Sequence, residues 1–287
     1  MNNKLRILLI GIVFLIMSVG LFACSNNKEE ALNNDYEEAD LNNGNEEGSS
    51  NNNNNTEIED NNEDVHEDEQ DESNIEVDPE PLNINIIDDA SLTVLVNKQN
   101  SLSEDYAPED LVTINVPTIL ENPEVNQLRK EAADALYVMF EEAKTEDVYL
   151  HARSGYRSYN TQVHLFNNYV KNYGEEAAMK FSARPGHSEH QTGLVMDVSS
   201  QSVDYKLTRE FGETKEGIWL KENAHKFGFI IRYPEGKEEI TGYIYEPWHI
   251  RYLGVDVATA VYESGLTYEE FLVEEGIIHA VNAIAGE

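Results

Sequence analysis

The apolar positions divide the chain into three stretches of different period. Ile7 to Phe22 is an almost unbroken apolar run. Residues 25–80 are Asn, Glu, Asp and Ser, with a few apolar residues at no period. From residue 82 onward, helix and strand periods alternate. Asn83–Val96 holds apolar clusters broken by Asp88-Asp89 and reads as an extended arm with a short strand. Asn97–Val116 reads as loop. Pro123–Lys144 carries Val125, Leu128, Ala132, Leu136, Met139, Phe140 and Ala143 at spacings of three and four, which predicts a helix. Asp147–Arg153 alternates as a strand does, and Ser154–Ser158 turns the chain. A second helix runs to Tyr173, with Ser158 as N-cap, Gly174 as C-cap, and Val163, Phe166 and Val170 toward the core. Gly193–Val198 is a buried strand. Gly217–Lys226 is a short amphipathic helix stopped by Gly228. Phe229–Tyr233 and Tyr243–Tyr252 are strands around a Pro234–Gly236 turn, and two short helices finish the chain. The order is mixed, so the expected fold class is α+β: a single domain with a central antiparallel sheet flanked by helices.

Charge sharpens the division. The formal net charge is −35. Residues 25–80 carry 21 Asp or Glu and one Lys, so the excess concentrates where the hydrophobic pattern is absent. Such a segment cannot bury enough surface to offset the entropy of ordering it. Residues 25–81 are expected to be a disordered acidic tether and residues 82–287 the folded domain. No cluster of Lys or Arg offers the phosphate contacts nucleic acid needs, so no nucleic-acid partner is expected. A monomer is the expected state.

The first 24 residues start with Lys4 and Arg6, continue with the apolar run, and end at the one cysteine, Cys24. That is the layout of an export signal. Leu21-Phe22-Ala23-Cys24 resembles a bacterial lipobox, which implies lipidation at Cys24 and a membrane-held domain facing the cell wall.

Two segments carry candidate chemistry. Arg184-Pro-Gly-His-Ser-Glu-His-Gln-Thr-Gly-Leu-Val-Met-Asp197 holds His190 ahead of a buried strand and Asp197 near its end. A carboxylate among Met196 and Val198 is expensive to bury unless a cation or a donor compensates it. On that spacing alone, a buried hydrogen-bonded pair is the better reading. Glu246-Pro-Trp-His249 adds a third candidate ligand and, three residues before it, a carboxylate able to serve as base.

Together, Ser188-Glu-His-Gln-Thr-Gly-Leu-Val-Met-Asp197, Glu246-x-x-His249 and Ser154-Gly-Tyr-Arg-Ser158 resemble the signatures of the VanY-like zinc D-alanyl-D-alanine carboxypeptidases, within the lysostaphin and D-Ala-D-Ala metallopeptidase group. The resemblance spans roughly residues 90–272, with Val195 where that family often has alanine. It implies Zn²⁺ held by His190, Asp197 and His249 in a surface cleft, with Glu246 as general base. It assigns Arg157 to the oxyanion or the substrate carboxylate. Gln162 and Ser188 would hold substrate, and Tyr243, Tyr245 and Trp248 would line the cleft. His187 falls to a rim or supporting role. The substrate would be the C-terminal D-alanine of peptidoglycan stem peptides. An L,D-carboxypeptidase acting on tetrapeptide stems and a wall-binding module without turnover remain as alternatives.

Overall fold

The computed structural model describes residues 81–279. The expected export signal, Cys24 and nearly all of the expected tether lie outside them.

Strands β1 (Leu111–Thr113) and β2 (Gln127–Arg129) form a small antiparallel ribbon. Strands β3 (His151–Ser154), β4 (Val195–Ser199), β5 (Phe229–Tyr233) and β6 (Glu246–Tyr252) form an antiparallel sheet of order β3-β4-β6-β5. The helices are α1 (Lys130–Thr145), α2 (Tyr159–Tyr173), α3 (Glu175–Phe181), α4 (Lys215–Asn223), α5 (Glu238–Thr241), α6 (Val255–Ser264) and α7 (Tyr268–Glu274). Helices flank an antiparallel sheet, which is the α+β architecture expected from the pattern.

Strand alternation sorts the side chains by face. Met196 and Val198 of β4, with Ile250 and Tyr252 of β6, join Leu136, Met139 and Phe140 of α1 in the main core. Each large side chain buried this way contributes about 1.5–3 kcal/mol. Asp197, His249 and Arg251 face the other way. There the sheet is covered at one end by residues 82–97, α6 and α7, through Leu95, Ile230, Val257, Tyr268 and Leu272. The other end stays open as a cleft.

Several boundaries differ from the pattern-based reading. Residues 82–97 form an arm without a regular strand; their hydrogen bonds go to single partners such as Leu95 N to Ile86 O. The first helix begins at Lys130, because Gln127–Arg129 pairs with Leu111–Thr113 instead. Val125 and Leu128 are buried all the same, so their helical spacing is coincidental. Helix α2 has the expected caps, with Ser158 accepting from Thr161 N and Gly174 closing it. Its buried face is Gln162, Leu165, Phe166 and Tyr169, rotated from the expected Val163 and Val170, and α3 follows where no helix was expected.

Candidate metal and peptide site

The sheet register assembles the site. Asp197 of β4 is the direct cross-strand partner of His249 of β6 on one side and of Ser154 of β3 on the other. Glu246, at the start of β6, pairs with Tyr233 of β5. His190 arrives from a 3₁₀ turn, Glu189–Thr192, that ends at Gly193 with φ +66°. An added Cβ there would lie 2.9 Å from Leu111 Cδ2, so both the positive φ and the ribbon beside it require glycine.

One ligand-type atom from each of His190, Asp197 and His249 lies within 4.8 Å of the others, and all three side chains are buried. His190 Nε2 is 3.5 Å from Asp197 Oδ2, and His249 Nδ1 is 3.2 Å from Asp197 Oδ1. Asp197 Oδ1 makes no hydrogen bond despite its burial. With no metal bound, the raised His249 supplies the positive charge beside this carboxylate; a metal ion held by the same three side chains would take over that role.

Each histidine is held from behind. His190 Nδ1 is 2.7 Å from Gly155 O, so it donates there and leaves Nε2 free for a metal. His249 Nε2 is 3.3 Å from Glu189 Oε2, which leaves Nδ1. Such outer partners fix the tautomer and orientation of metal-binding histidines. Glu189 is itself gripped: Arg232 Nε lies 2.9 Å and Arg251 Nη1 2.7 Å from its Oε1. Arg232 also makes a bidentate pair with Glu269 at 2.7 and 2.6 Å. These four charged side chains are fully or almost fully buried. Nothing in the motif spacing identified Glu189, Arg232, Arg251 or Glu269. The one available signal was a pair of arginines in otherwise apolar and aromatic strands.

Electrostatics separate the roles. Burial raises the Glu246 carboxyl to about 7, with Asp197 adding to the effect and His249 and Arg157 opposing it. Its Oε2 lies 3.6 Å from His249 Nδ1. Burial and then the Arg157 charge lower His190 to about 3, so it is neutral and able to donate a lone pair. Burial works to lower His249 as well, but Asp197 and Glu189 outweigh it and raise it to about 9.

The cleft takes in roughly 850 Å³ of open space, its mouth included. Arg157, Gln162, His187, Ser188, Tyr243, Glu246 and Trp248 all line it together with the three ligand candidates. Gln162 turns its amide nitrogen to Ala183 O at 2.7 Å and leaves Oε1 buried without a partner. His187 sits at the rim with Nδ1 2.8 Å from Asn97 O. The Tyr243 hydroxyl is buried and unpartnered, and burial raises its pKa, so it stays a donor. Tyr245 is not in the cleft as expected; its ring faces Arg209 at 5.8 Å and packs against Gly212.

Comparison with known proteins identifies relatives of this chain. Residues 125–255 match the VanY family, described as D-alanyl-D-alanine carboxypeptidase. The putative carboxypeptidase YodJ of Bacillus subtilis (strain 168) is 50% identical over 182 residues, which is 63% of this chain and 67% of that protein. The structure of the LdcB LD-carboxypeptidase superposes with a TM-score of 0.63 and 48% identity, over 64% of this chain and 87% of LdcB. The vancomycin-resistance D,D-pentapeptidase VanY from the VanB-type cassette, solved with Zn(II), gives 0.51 and 35% identity over 63% of this chain and 98% of its own. With His190, Asp197 and His249 converging in a cleft beside Glu246, and with these relatives, the chain belongs to the VanY family of D-alanyl-D-alanine carboxypeptidases.

Proposed function

We propose that the protein is an extracytoplasmic zinc carboxypeptidase that removes the C-terminal D-alanine from peptidoglycan stem peptides. The observation that carries this reading is the convergence of three buried ligand atoms beside a half-buried carboxylate in an open cleft. His190, Asp197 and His249 would hold the metal. Zn²⁺ at such a site lowers the pKa of bound water to near neutrality and polarises a carbonyl oxygen. Glu246 takes the proton of the attacking water and passes it to the leaving amine. The Arg157 guanidinium steadies the developing oxyanion or clamps the terminal carboxylate, and Ser188 and Tyr243 offer hydroxyls to the peptide. Gln162 holds the Ala183 loop at the cleft wall through its amide nitrogen. Trp248 forms part of the wall.

Two stem lengths are consistent with this chemistry. A D,D-carboxypeptidase would cut pentapeptides, as the family description implies. An L,D-carboxypeptidase would cut tetrapeptides, a reading favoured by the higher identity and TM-score against the LD-carboxypeptidase structure than against the D,D-pentapeptidase. Incubating the protein with each stem, with and without a chelator, and identifying the released amino acid decides between them. Release of D-alanine from neither stem would overturn the enzyme reading and leave a wall-binding role.

The domain order completes the proposal: a signal over residues 1–24, a lipid on Cys24, a tether over 25–81 and the catalytic domain from 82. Cys24→Ala should abolish incorporation of a labelled fatty acid into the protein. Unchanged labelling of the variant would rule out a lipid on Cys24.

A further inference from the structure

Arg153 is a buried guanidinium with no acidic partner among the described residues. It is 6% exposed, yet it lines the cleft. Its one hydrogen bond among the described residues runs from Nη1 to Tyr205 O at 3.3 Å, and no carboxylate there lies within ion-pair distance. The contrast with Arg232 and Arg251 is direct, since both of those are saturated by Glu189 or Glu269. A buried cation left without a counter-ion is costly, and such groups are ordinarily paired.

Local backbone geometry turns this side chain into the cleft. In the β3–β4 ladder Ala152 pairs with Val198 and Ser154 with Asp197, so Arg153 is the extra residue of a β-bulge. A bulge re-aims the side chain it carries. The carbonyl that receives Arg153 belongs to Tyr205, which adopts φ +61°, a strained value for a bulky residue. Arg153 stands on β3, at the edge of the sheet opposite Tyr233 on β5, with Asp197 and His249 between them.

The charge balance indicates what the position would receive. Arg153 and Arg157 line the cleft with Asp197, Glu246 and Glu189, the last already compensated by Arg232 and Arg251, so a bound divalent metal would leave excess positive charge there. The terminal carboxylate of a peptide supplies one anion, which the proposed function gives to Arg157 and its neighbours. A second anion is still accommodated.

We propose that Arg153 forms a second anion-binding position, which takes a side-chain carboxylate of an acidic peptide and selects stem peptides bearing that carboxylate over their amidated forms. This inference rests on the carboxypeptidase reading. It makes Arg153 a specificity-determining residue, with no part in the bond-breaking step.

The test uses the zinc-loaded full chain and pairs of stem peptides identical except for carboxylate or carboxamide at each side position. Wild type should favour one acidic member by between about 10- and 100-fold in kcat/KM, mostly through KM, the range expected for a hydrogen bond to a charged group. Arg153→Met and Arg153→Gln should bring that ratio close to one, and Arg153→Lys should restore part of it. Equal hydrolysis of every pair by wild type overturns the inference and leaves the carboxypeptidase reading intact. So does a ratio unchanged in folded Arg153→Met or Arg153→Gln, where both members slow together. If wild type hydrolyses no stem, the proposed function fails and the inference falls with it.

Discussion

Glu189 Oε2 lies 3.3 Å from His249 Nε2, so the acidic residue next to one ligand candidate orients the ring of another sixty residues away. Glu189→Gln keeps the shape and removes the charge. Losing an outer-shell partner of this kind typically weakens metal binding 10–100-fold. We expect a loss on that order in zinc affinity, read by competition with a chromogenic chelator, while circular dichroism still reports a folded protein. Unchanged affinity would mean that Glu189 serves the fold alone.

Glu246→Gln should retain zinc and lose turnover. General-base catalysis typically contributes 10²- to 10⁴-fold, so kcat should fall by roughly that factor. Metal content by elemental analysis and single-turnover rates measure both halves. A variant as fast as wild type would remove Glu246 from the mechanism.

The pH profile follows from the same residue. Burial raises the Glu246 carboxyl to about 7 in the metal-free protein. The base works only when ionised, so activity is present above its pKa and lost as pH falls through it. A neighbouring cation favours the carboxylate and moves that pKa down. The acid limb of kcat/KM should therefore lie below 7, and Glu246→Gln should abolish it. A limb above 7 would point to a different titrating group.

The buried ion network should be fragile to the loss of one member. Arg232 binds Glu189 and Glu269 together. Arg232→Met leaves two carboxylates in the interior with too little compensation, a change that typically costs 3–5 kcal/mol. Urea unfolding of the metal-free protein measures it. A cost below about 1 kcal/mol would show that water reaches the network.

Gly155 sets a fourth constraint. A Cβ there would lie 2.5 Å from Gln127 O and 2.9 Å from Val125 O, both rigid backbone atoms. Its own carbonyl accepts from His190 Nδ1 at 2.7 Å. Gly155→Ala should push this acceptor away from the ring and lower zinc affinity and stability together. Thermal melts with and without added zinc would show whether the metal-dependent gain in Tm shrinks, as expected, or stays the same.

The parts of the site legible in the sequence were local ones. His190 and Asp197 fall in one short segment and Glu246 and His249 in another, and the caps of α2 are each set by a single residue. The rest depends on distant pairing. Glu189 carries no signal of its own in the sequence because its partners lie 43 and 62 positions away, and their charges become interpretable only when β5 and β6 lie side by side. Arg153 reads as an ordinary strand residue until the bulge is seen. The ribbon of Leu111–Thr113 with Gln127–Arg129 was missed for a different reason. Each strand is three residues long, too short for an alternating pattern to outweigh a helical spacing that continues into α1.

Residues 82–97 acquire a different status from this arrangement. Arg251 Nη2 donates to Leu92 O and Val94 O, the Tyr268 hydroxyl donates to Thr93 O, and Asn97 donates to Glu269. The family match, residues 125–255, leaves out both this arm and Glu269. The segment matched by the family model therefore lacks contacts that this fold uses. Cut at its own borders, it would expose Arg251 and Arg232 to water on the far side of the sheet, and the brace behind His249 would loosen before any residue of the cleft itself had been touched.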